Sequence, residues 1–148
     1  MANNKVNMSA FNKSMISIEK AFIERLDKID KALVDSMQDM EREATAAAPV
    51  GKVNGGRLKN SINYKKIGNL FYELRADVPY AAFVEFGTGK KNVVVNKYDE
   101  YWQKIANPFR GVDPNRGQTI ARPFFYPTVN KNIAELKRKI KSILSKNA

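Results

Sequence analysis

Neither cysteine nor histidine occurs among the 148 residues. Their absence removes the Ser–His and Cys–His nucleophile pairs, any disulfide framework and the usual zinc ligand sets. A chain without disulfides suits a reducing compartment. Long apolar runs are missing too. No stretch approaches the roughly 18 apolar residues of a membrane span, and the N-terminus lacks an apolar signal core, so no membrane partner is expected.

Carboxylates are scarce beyond residue 48, where Asp99-Glu100 is the only adjacent pair. Neighbouring residues on a helix do not share a face, which makes them a poor acid–base couple. Gly87-Thr88-Gly89-Lys90 has the look of a phosphate loop, but Val84 and Lys91 stand where the Walker pattern needs Gly and Ser/Thr. We therefore expect no catalytic residue, no metal and no cofactor.

What the chain has is positive charge, +11 in total. Residues 1–48 hold seven Lys/Arg against eight Asp/Glu, and residues 49–148 hold nineteen against seven. The field belongs to the last hundred residues and favours polyanions or acidic protein surfaces. A merely solubilising surface would carry the same signature.

The length suits one domain able to bury about 68–70% of its unfolded surface. The first ten residues are polar and read as a flexible N-terminus. Residues 11–148 read as a single domain with an elaboration at about 90–118. From Phe11 through Met15, Phe22, Leu33 and Met40 to Ala47 the apolar positions recur at a mean spacing of 3.6, the period of a straight α-helix. Ser9 is the expected N-cap and Pro49 the terminator. Such a helix spans roughly 55 Å, longer than a domain of this size can cover.

Ser61–Ile67 and Leu70–Ala76 read as strands around a Gly68-Asn69 hairpin turn. Tyr80–Phe86 has helical spacing with Gly87 at its cap, a strand being the competing assignment. Val93–Val95 form a β-branched run, and Tyr98, Tyr101, Trp102 and Ile105 suggest a short helix. Ile120–Tyr126 reads as a further strand closed by Pro127. A last helix from about Thr128 carries Lys137, Arg138, Lys139 and Lys141, candidate phosphate contacts for duplex DNA or a solvated basic face. The expected fold class is α+β: a long N-terminal and a C-terminal helix packed on a small antiparallel sheet.

Four segments, in order, resemble the neck or tail-completion family of long-tailed bacteriophages. They are the long helix ending Ala47-Ala48-Pro49-Val50, then Gly56 to Ile62, Tyr80 to Gly89, and Ala121 to Pro127 before a closing helix. The resemblance covers most of the chain, and Tyr80 to Gly89 is its most specific part. The stretch from Lys90 to Gln118 departs from it, being longer than the family's connection.

The resemblance implies a structural virion protein at the head–tail junction, present in the host cytoplasm during assembly, that forms or lines a ring on the DNA exit path. Implied partners are copies of itself, a head-side connector, tail-tube or tail-terminator proteins, and genomic DNA in the channel. A tail-terminator ring and a basic nucleic-acid-binding protein are the alternatives. Interface candidates are Met15 and Phe22 on the long helix, with Tyr80, Glu85, Phe86, Gly87, Thr88, Arg122, Pro123 and Phe124. Glu85, set among apolar neighbours, needs a partner, either an arginine such as Arg122 or a backbone amine.

Overall fold

The computed structural model describes residues 7–51, 55–89, 99–111 and 119–145. Helix α1 spans Met8–Ala47, 40 residues and about 60 Å. Its cap is Asn7, whose side chain accepts from Ala10 N at 3.1 Å. The helix thus starts before the expected boundary, and Ser9 lies inside it. At the other end Ala48 turns extended, as a residue before proline tends to do.

The short helix α2 (Arg57–Ser61) leads into strand β1 (Ile62–Gly68), which pairs antiparallel with β2 (Phe71–Ala76). The register, Ile62 opposite Ala76 and Lys66 opposite Tyr72, is interrupted between Lys66 and Gly68. This irregularity draws Gly68 into the strand, so the turn falls on Asn69-Leu70 and not on Gly68-Asn69. Leu70 consequently adopts φ +54°. That costs about 1 kcal/mol, offset where its side chain lines an apolar groove.

Helix α3 (Ala81–Phe86) follows, then α4 (Glu100–Ala106) with a 3₁₀ turn at Asn107–Gly111, and finally α5 (Tyr126–Ser145). The helical alternative for Tyr80–Phe86 holds, as does the short helix around Trp102. Val93–Val95 and Tyr98 lie outside the described residues. The expected strand Ile120–Tyr126 does not form. Residues 119–123 form neither helix nor strand, and α5 already begins at Tyr126. Pro127 sits in its first turn, where a missing N–H costs nothing.

The fold is α+β, with both long helices and the two-stranded hairpin enclosing the core. Ala44, Ala48, Leu58, Ile62 and Phe124 form one cluster, and Phe86, Ala106 and Tyr126 a second. Phe124, 1% exposed, is the largest fully buried side chain among the described residues and is worth about 1.5–3 kcal/mol in transfer from water. Phe109 from the elaboration stacks on Phe86 at 5.7 Å, and Trp102 meets Tyr126 edge-on at 5.2 Å. The described part of the 90–118 stretch is therefore built into the core.

Along α1 the buried residues Ala32, Ser36, Met40 and Ala44 recur every fourth position, a mostly small ridge that lets α5 lie close and antiparallel. Among the described residues, two polar contacts join Glu43 and Asp30 of α1 to the body. Lys131 and Asn132 of α5 donate to Glu43, each at 3.0 Å. Lys66 and Tyr72 of the hairpin donate to Asp30, at 2.9 and 2.7 Å. N-terminal to Asp30 the helix runs on beyond both.

Candidate functional site

Glu85 is 3% exposed, on the face of α3 turned to the start of α5. Its Oε2 accepts from the N–H groups of Phe124 and Phe125 at 2.8 and 2.9 Å, and Oε1 from Tyr126 N–H at 3.0 Å. The first turn of any helix leaves N–H groups without intrahelical acceptors and carries partial positive charge. A carboxylate placed there from a distant segment satisfies both demands. Of the two expected partners, the structure has the backbone amines. Arg122 is exposed and joins α3 through its backbone, donating N–H to Val84 O at 2.7 Å. These bonds also explain the missing strand: the donors of residues 122 and 124–126 are spent on α3.

Gly87 ends α3 at φ +68°, ψ 178°, a region open essentially to glycine alone. From there Thr88 N–H reaches Thr119 O at 3.0 Å, and Thr119 N–H returns to Thr88 Oγ1 at 2.9 Å. One short motif thus fixes the C-terminal end of α3, the 119–123 segment and the start of α5.

The ten interface candidates fall in different places. Glu85, Phe86, Gly87, Thr88 and Phe124 are buried within the chain, so what they offer another chain is the shape of the surface above them. Phe124 in particular belongs to the core and is no contact surface. Tyr80 and Arg122 are exposed and line one open cleft of about 460 Å³ together with Arg57 and Val84. Pro123 is exposed beside them. Met15 and Phe22 are far away, Met15 about 44 Å along the helix axis from Ala44.

That distant end is the most unusual surface of the molecule. Every residue from Met8 to Lys20 is exposed. The apolar side chains Met8, Phe11, Met15, Ile16, Ile18, Phe22 and Ile23 stand between 50 and 65% exposed. They continue the stripe that packs on the body further along the same helix. A second apolar surface, a groove of about 450 Å³, is walled by α1, the hairpin, α4 and α5, with Leu33, Phe71, Tyr101, Trp102, Ile105 and Ile133 among its residues. Sequence reasoning missed the groove because it draws on four elements distant in the chain.

The basic residues of α5 divide. Lys137 and Lys141 share one face, Arg138 bonds back to Ala134 O, and Lys139 turns toward α1 into a depression with Lys28, Lys31 and Asp35. Among the described residues none of these four makes an ion pair. No described helix is long and apolar enough to cross a membrane.

Fold and surface together define a small α+β protein with a projecting apolar helix. Residues 10–87 match the family model described as "Bacteriophage HK97-gp10, putative tail-component". With more than half of its length matched, the chain belongs to this HK97-gp10-like family of phage structural proteins, which makes it a virion component. The match ends at Gly87, so the elaboration and the Ala121–Pro127 segment lie beyond it. No curated protein and no solved structure matches the chain at a significant level.

Proposed function

We propose that the chain is a neck or tail-completion subunit, forming part of a ring that joins the DNA-filled capsid to the tail. The observation that carries this reading is the projecting half of α1, with its row of bare apolar side chains. A lone soluble protein rarely leaves a contiguous apolar surface of this extent in water, and such a patch marks an interaction site. Family membership supplies the setting, a phage tail component; the junction position and the ring go beyond it. The role is structural, with contacts to its own copies, to a head-side connector and to tail proteins.

The basic residues of α5 favour an additional contact. Lys137 and Lys141, exposed and without ion pairs among the described residues, suit the phosphates of DNA passing through such a ring. Negative-stain images of particles assembled without the chain test the junction role. Separate filled heads and finished tails are expected; joined, normal particles would overturn it.

A further inference from the structure

We infer that the projecting helix of one copy, Met8–Ile23, seats its apolar face in the groove of an adjacent copy, so that each chain gives an arm and receives one. This rests on the self-assembly part of the proposed role and names the surfaces that carry it.

The arm has the area for the task. Seven large apolar side chains, each about half bare, offer on the order of 700 Å², close to the ~800 Å² per partner of a standard interface. The arm also has a shape that a groove suits better than a second helix does. At 3.6 residues per turn its exposed apolar residues cover an arc of about 160°, from Ile18 round to Ile16. A coiled-coil seam is narrower, and pairing arm with arm would leave Ile16 and Ile23 bare.

The groove is the complement. Phe71 and Tyr101, 62 and 68% exposed, stand at its edge over an apolar floor that includes Leu33 and Leu136. Aromatic anchors around an apolar pocket are the usual makings of a binding hot spot. A chain cannot fill its own groove. Leu33 and Met37 of α1 form one wall, and the same unbroken helix carries Phe22 about 16 Å away along its axis. Because both surfaces occur on every copy, a single kind of contact covers both at once. An arm and a groove are different surfaces, so repeating the contact is head-to-tail and closes into a ring when the rotation per copy allows.

The absence of cysteine makes a direct test available. Ile18→Cys and Tyr101→Cys chains, both altered at exposed positions, are supplied together during phage assembly in place of the natural chain. Intact particles are then treated with a short thiol cross-linker and analysed by mass spectrometry. Met15→Cys with Ile133→Cys serves as a second, independent pair. The expected result is a cross-link between positions 18 and 101, or 15 and 133, of different copies, formed only when both variants are present. Particles that contain the chain but give only arm-to-arm links, links to another virion protein, or neither pair would overturn the inference and leave the junction role standing. Absence of the natural chain from finished particles would overturn the junction role, and the inference with it.

Discussion

Asp30 on α1 and Lys66 on β1 meet at 2.9 Å, and Tyr72 from the neighbouring strand donates to the same carboxylate. This contact marks where the long helix leaves the body. The Lys66 hydrogen bond, aided by that of Tyr72, holds the Asp30 carboxyl below its ordinary value of 3.8. Lys131 does the same for Glu43 at the second attachment, against an ordinary 4.5. A carboxylate depressed in the folded state adds stability above its unfolded value and loses it as pH falls through the folded one. Melting temperature is therefore expected to drop as pH falls through and below this range. Asp30→Asn and Glu43→Gln together should flatten the acid limb of the profile; an unchanged limb would count against these two attachments.

Glu85 gives a sharper effect. Removing its carboxylate leaves the amides of Phe124, Phe125 and Tyr126 without their acceptor in a largely buried place. Each such group costs about 1–3 kcal/mol, so Glu85→Ala should lose roughly 3 kcal/mol or more in denaturant unfolding. Glu85→Gln keeps one acceptor oxygen and should lose less. A loss under about 1 kcal/mol in the alanine variant would mean that the cap contributes little.

Gly87 occupies backbone geometry that a β-branched residue does not tolerate. Gly87→Val is expected to cost about 1–3 kcal/mol, read as a lowered melting temperature. Gly55→Ala is a useful contrast, since a Cβ there would meet Gly51 O at 2.5 Å, a clash of space with no left-handed φ involved.

The basic residues of α5 offer a test through salt. Replacing Lys137, Arg138, Lys139 and Lys141 with Gln should weaken duplex binding equally across sequences. The slope of log K against log salt should flatten by about 0.9 for each phosphate no longer neutralised. Unchanged binding would remove DNA from the partners while leaving the assembly role intact.

Much of this was legible in the sequence, for physical reasons that differ by element. The 3.6-residue spacing from Phe11 to Ala47 reports a helix directly, and its length alone signals an uncovered stripe. Gly87 was legible because it ends an apolar run at a helix boundary. Ile120–Tyr126 was misread because its composition favours a strand, while Glu85, far off in sequence, takes the donors a strand would need. The helix period itself shows that Lys137 and Lys139 lie about 160° apart around the axis, so a single basic face was never available to the four. No local signal announces the groove, which exists only once the hairpin, α4 and α5 meet α1.

The most direct measurement of the assembly role uses the arm. Met15→Lys with Phe22→Lys changes two exposed side chains, so the isolated chain should keep its fold, checked by an unchanged circular-dichroism spectrum and melting temperature. In an interface both lysines would be buried without partners, a costly state. Phage assembled with this variant should yield filled heads and finished tails as separate particles in electron micrographs. Joined particles in normal number, with the variant folded and present, would contradict the claim that the arm makes the contact on which joining depends.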